Sequence, residues 1–194
     1  MPRHAIPLTA LALSATLLSL PLQATTSDEA LRTETRKAIK EFAGELKGTL
    51  KGALKGGGPE AAIDVCNKVA PAISRAIAEK YGWQKVGRTS LKTRNPANAP
   101  DAWEKRVLLE FEKRKASGEP VQKLEHGEIV ETANGKVYRY MKAIPTGKIC
   151  LTCHGTRIKP ELAKRIKTLY PEDRATGFRP GDIRGAFTVI RPLN

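Results

Sequence analysis

Apolar side chains recur every three or four positions through the first third of the chain. Leu31, Thr35, Ile39, Phe42, Leu46, Leu50 and Leu54 share one helical face. Ser27, Asp28 and Glu29 stand ahead of that face, a hydroxyl and two acids that suit the unsatisfied amides of a helix start. Three glycines, Gly56 to Gly58, stop the pattern, and Pro59 opens a second helix in the favoured first-turn position. The second face runs through Ile63, Cys66, Val69 or Ala70, Ile73, Ile77 and Tyr81 until Gly82 ends it. Two helices joined by a short glycine loop predict an antiparallel hairpin.

Residues 84–100 are rich in Arg, Asn and Pro and read as an ordered loop with one short strand near Val86. A third helix follows over about residues 101–115, with Trp103, Val107, Leu108 and Phe111 on one side. The period then changes to two. Residues 129–132 and 136–143 flank Asn134-Gly135, the favoured pair for a two-residue hairpin turn, and Tyr138, Tyr140 and Ala143 belong to that segment. A loop holds Cys150, Cys153 and His154, a helix spans 160–169, and a strand covers 183–190. Helices first and antiparallel strands afterwards give α+β, a small sheet covered by helices.

The chain starts MPRHAIPLTALALSATLLSLPLQA. A short basic start precedes an apolar run from about Ala5 to Leu20, as in a secretory signal peptide with a cut after Ala24. The run is interrupted by Pro7 and Pro21 and falls short of the ~20 residues of a bilayer span. Residues 1–24 are therefore expected to be removed, leaving 25–194 as one exported domain, periplasmic and without a membrane span. This compartment changes the meaning of the charge. With 34 Lys+Arg against 20 Asp+Glu the formal net charge is +14, which by itself suggests nucleic acid; export excludes that partner. Three cysteines are too few for a disulfide framework, and their odd number leaves one thiol to explain.

Two of them stand in Cys150-Leu151-Thr152-Cys153-His154, the C-x-x-C-H attachment signature of c-type haem. Cysteines three apart on a tight turn can each form a thioether to one haem vinyl group. The adjacent histidine then reaches the iron as proximal ligand. Gly155 is expected to let the backbone pass close to the porphyrin edge. A redox dithiol of thioredoxin type would require a βαβ context that the pattern lacks. A zinc site would need Cys66 and His126 as further ligands, and neither sits in a metal-type pair.

Cys66 lies on the inward face of the second helix. A small buried hydrophobe is the plain reading. Yet Pro71 cannot donate to the carbonyl of Asn67, which disturbs the helix one turn later, and an inward thiol near such a disturbance is a candidate second axial ligand. Its rivals are His126, in a polar stretch that suggests exposure, and Met141, on the strand face opposite to Tyr140.

Five blocks, CNKVAPAIS (66–74), RTSLKTRNPANAPDAWE (88–104), CLTCHG (150–155), YPEDRATGF (170–178) and PGDIRGAF (180–187), resemble the Tll-type haem sensor family. Its members occur alone or as the extracytoplasmic part of histidine kinases, and the likeness spans about residues 30–190. The resemblance implies a PAS-like antiparallel sheet with an N-terminal helical hairpin, one covalent haem c, and His/Cys axial ligation. On this chain that makes His154 the proximal and Cys66 the distal iron ligand, with Cys150 and Cys153 as thioether donors.

Around that core, Arg88 and Arg94 are candidate clamps for haem propionates, since guanidinium forks match carboxylates. Arg184, beside Gly185 on the last strand, could serve haem or sheet. Trp103 and Tyr140 are candidate haem-packing aromatics. The expected function is redox or small-ligand sensing, with NO, CO or O2 as gas ligands and a signalling or redox protein as partner. The alternative is a low-potential electron carrier. A peroxidase-like enzyme is disfavoured, because no distal His/Arg pair is legible.

Overall fold

The computed structural model describes Met1 and residues 22–193, with side chains from Asp28 onward. The apolar run expected to form a signal peptide lies outside the described residues.

The long first helix, α1 (Leu22–Asp64), contains one break. Gly58 has φ 69° and ψ −164°, in the left-handed half of the map that glycine enters without steric cost, and Pro59 restarts the helix. Gly58 alone therefore turns the chain; Gly56 and Gly57 remain helical. After α1 the backbone takes one π turn, Val65–Val69, in which the Ala70 N–H bonds the Val65 carbonyl. α2 (Ala70–Tyr81) follows and ends at Gly82, φ 65°. The π turn is the disturbance expected from Pro71. Without an N–H at position 71 the Asn67 carbonyl has no partner four residues on, and the ladder slips by one residue.

The two arms fold back on each other and bury Ile39, Phe42 and Leu46 against Ile73 and Ile77. Glu41 ties them on the outside, accepting from Lys80 and from the Tyr81 hydroxyl at 3.0 Å. The buried Thr35 keeps its hydroxyl satisfied on the Leu31 carbonyl at 2.7 Å. Ala70 rather than Val69 faces inward; Val69 is exposed.

Four antiparallel strands, β1 (Lys85–Thr89), β2 (Glu125–Thr132), β3 (Gly135–Pro145) and β4 (Ile183–Pro192), form one sheet in the order β1-β4-β3-β2. Ala133 and Asn134 form the turn between β2 and β3, one residue earlier than the expected Asn134-Gly135 pair, and Gly135, at φ 104°, is already the first residue of β3, paired with Thr132. Because both faces of the sheet are covered, Tyr140 and Met141 are both fully buried. Tyr138, Tyr140, Val86 and Val189 lie under the hairpin, and Met141, Ala143 and Ala186 lie under α3 (Ala102–Ala116). Each large apolar side chain buried there, such as Phe42 or Phe111, contributes about 1.5–3 kcal/mol.

α3 begins with a capping box: the Asp101 carboxylate accepts from the Glu104 N–H, and the Glu104 carboxylate accepts from the Asp101 N–H. The fully buried Glu104 also takes Lys85 and the Thr188 hydroxyl, each at 2.7 Å, and so fastens α3 to β1 and β4. The architecture is the expected α+β one, an antiparallel sheet with a helical hairpin on one face and flanking helices. Among the described residues no helix is long and apolar enough to cross a membrane.

Candidate functional site

Beyond the turn end of the hairpin, the sheet does not fill the space beneath it. β1 and β4 contribute Arg88, Arg184 and Gly185, α1 contributes Leu50, Leu54 and Ala62, and the π turn contributes Cys66. Together they bound a cavity of about 1140 Å³, its open mouth to solvent included. Leu50 and Leu54 continue the apolar stripe of α1 yet are only half-buried, since this cavity rather than the sheet lies below them.

The segment between β3 and β4 closes the cavity. It folds as a 3-10 turn, Lys148–Cys150, running into a single helical turn, α4 (Leu151–His154), in place of the expected loop. Cys150, Cys153 and His154 all line the cavity, and all three cysteines of the chain carry free thiols. The Gly155 N–H closes the turn on the Leu151 carbonyl at 3.0 Å. A side chain at 155 would put its Cβ 2.5 Å from that same carbonyl oxygen. The backbone of its own turn thus gives Gly155 a second reason, beside the one expected from the sequence.

Two loops lock the turn in place. Phe178 N–H donates to the His154 carbonyl and Gly177 N–H to the Gly155 carbonyl, both at 3.0 Å. Arg94, from the loop after β1, donates to the Cys153 carbonyl at 2.6 Å and pairs with Asp173 at 3.1 Å, both side chains being buried. α5 (Pro160–Leu169) supplies Leu162 and Ile166, which pack with Ile63, Tyr170 and Cys153. Asp173, Ala175 and Phe178 are thus site residues that side-chain reasoning passed over; their signal in the sequence was the YPEDRATGF block.

His154 is held in one chemical state. Its Nδ1 lies 2.7 Å from the Ala175 carbonyl, which can only accept, so Nδ1 carries the proton. Burial, reinforced by Arg184 and Arg94, pushes its pKa down to about 2. The ring is therefore neutral at physiological pH and its Nε2 lone pair is free to bind a metal, oriented through the other ring nitrogen. Arg184 Nη2 lies 3.5 Å from Nε2. Burial, together with Arg94 and Arg88, lowers the Arg184 pKa to about 10, and burial lowers that of Arg88. Burial raises the Cys153 thiol, the reverse of the depressed thiol that a redox dithiol uses.

The cavity thus brings together Cys66, Arg88, Arg94, Cys150, Cys153 and His154. Trp103 and Tyr140 are not part of it. Trp103 stacks with the Arg139 guanidinium at 4.3 Å and donates to Glu128 across α3 and β2. Tyr140 points under the hairpin and donates to Glu125 at 2.5 Å. Tyr140 is on the sheet face that leads to the cavity but stops short of it, a matter of strand register that residue type does not reveal. His126, beside Trp103 at 5.7 Å between ring centres, and Met141, under α3, also lie outside the lining. Among the described residues no cage of three His, Cys, Asp or Glu side chains is poised for a metal ion, so a zinc site has no ligand set there.

Fold and site together define an α+β protein that closes one cavity with a thiol–thiol–imidazole turn, a third thiol and a set of guanidiniums. The chain belongs to the Tll0287-like family, whose model matches residues 17–192. Among solved structures it is similar to the crystal structure of the cyanobacterial heme-protein Tll0287, at 29% identity and a TM-score of 0.61 over 85% of this chain and 96% of that one. No curated protein matches it significantly.

Proposed function

We propose that this protein binds one haem covalently in the cavity and acts outside the cytoplasm as a redox or small-ligand sensor. The observation that carries the reading is the neutral His154 imidazole, with Nδ1 committed to Ala175 and Nε2 unprotonated, in the same turn as Cys150 and Cys153. A heme-protein as structural neighbour over most of the chain supports it. In this reading Cys150 and Cys153 would hold the porphyrin by thioethers. His154 supplies the proximal ligand.

Cys66 is the candidate distal ligand, because it lines the cavity while Met141 and His126 lie elsewhere. When bound, the iron supplies one-electron exchange and a coordination position for a small ligand. A Cys66 thiolate would favour the more oxidised iron and lower its potential, and protonation of that sulfur from solvent would leave the position open to a small ligand. Leu50, Leu54 and Ile63 give one wall of the cavity an apolar lining that suits the porphyrin face.

Protein exported in cells with a cytochrome c maturation system should retain haem through acid–acetone extraction, and Cys150→Ala/Cys153→Ala should retain almost none. Haem released from the wild type by that extraction overturns the covalent assignment. Cys66→Ala should keep the haem, lose the ferric thiolate signature in EPR, and bind carbon monoxide faster. A wild-type ferrous protein inert to carbon monoxide identifies an electron carrier instead.

A further inference from the structure

The cavity holds three arginines and too few acids. Asp173 compensates Arg94, at 3.1 Å. Among the described residues neither Arg88 nor Arg184 forms an ion pair, and Arg88 donates no side-chain hydrogen bond. Arg184 makes only long contacts: 3.4 Å to the Ser90 hydroxyl, 3.5 Å to the Lys92 carbonyl and 3.5 Å to His154 Nε2. Good N–H donors sit at about 2.7–3.2 Å. The buried Nε of Arg94 has no partner either.

Each guanidinium carries five donors and a permanent charge, and shielding such a charge from water without a counter-ion is costly. The fold nevertheless builds this arrangement deliberately. Gly185, at φ 154°, lets β4 press so close to β1 that a Cβ would fall 2.3 Å from the Thr89 carbonyl oxygen. That contact sets Arg184 beside the end of β1, which carries Arg88. Two uncompensated cations at one cavity call for two anionic groups in whatever fills it.

We infer that Arg88 and Arg184 form a two-point carboxylate receptor that takes the two propionates of the haem, while Arg94 and Asp173 brace the cysteine turn. The inference rests on the haem reading and deepens it. A metal on His154 Nε2 cannot share its space with the Arg184 guanidinium, so Arg184 exchanges its long contacts for a carboxylate at the cofactor's rim. Planar forks suit that task, since each can grip a carboxylate through two parallel hydrogen bonds.

Resonance Raman spectra of the holoprotein test this through the propionate bending band, which responds to hydrogen bonds on the carboxylates and not to general loosening of the fold. Arg88→Gln and Arg184→Gln should each shift the band, and the double variant should shift it furthest. Where a Gln variant yields no holoprotein, Arg→Lys at that position carries the test; it keeps the charge, loses the fork and should still move the band. A band unchanged in both single variants, with haem attached, overturns the receptor and leaves the haem reading intact. A wild type that contains no haem overturns the haem reading itself.

Discussion

His154 and Gly155 are neighbours with different obligations. The histidine needs one backbone carbonyl, that of Ala175, to fix its tautomer. The glycine needs to present nothing at all, because the Leu151 carbonyl occupies the place of its side chain at 2.5 Å. Gly155→Ala therefore opposes closure of the turn that sets Cys150, Cys153 and His154. We expect a cost of about 1–3 kcal/mol, the usual range for forcing a methyl into filled space, and a several-fold drop in haem per mole of protein. A pyridine haemochrome assay on the exported variant measures it, and full loading shows that the turn can open without harm.

Among the elements, the π turn between α1 and α2 has the most specific role. Val65–Val69 holds Cys66 at the cavity and ends where Pro71 withholds a donor. Pro71→Ala restores that donor and allows the ladder to close four residues apart, which rotates Cys66 relative to Ile73 and Ile77. The expected result is unchanged far-UV circular dichroism and haem content, with a weakened ferric thiolate signal in EPR. An undiminished signal assigns the π turn to packing from Ile63 and Val65 instead of to proline.

In the whole molecule, the helical hairpin must stay seated on the sheet for the cavity to exist. Glu125 on β2 helps seat it, accepting from Arg36 of α1, from Tyr140 at 2.5 Å and from Lys142 at 3.2 Å. Burial pushes its pKa up, but the hydrogen bonds from Arg36, Tyr140 and Lys142 outweigh burial and hold it at about 2. A carboxyl lowered on folding stabilises the protein above its unfolded pKa, about 4.3, and that contribution disappears as pH falls toward 2. Urea unfolding from pH 7 to pH 2.5 should thus show stability falling below about pH 4.5. Glu125→Gln should lose about 1–3 kcal/mol at pH 7 and show a shallower acid slope. An identical slope in the variant places the acid sensitivity in other carboxylates.

The elements were legible in the sequence because they depend on local terms. Period and punctuation placed both hairpin arms, α3, α5 and, to within one residue, the β2–β3 turn, and C-x-x-C-H located the site turn by residue spacing alone. Tertiary structure decided which residues meet. Trp103 and Tyr140 have the chemistry of pocket aromatics, yet register and crossing geometry seat them on α3 and under the hairpin. Arg94 and Arg184 look alike as residues; only the fold gives one of them Asp173 and leaves the other without an acid. Cys66 reaches the cavity because a chain folded back at Gly58 brings residue 66 within the same walls as residue 154. Local propensity acts over a few residues, whereas a cavity is a sum of long-range contacts, and no short window of sequence contains that sum.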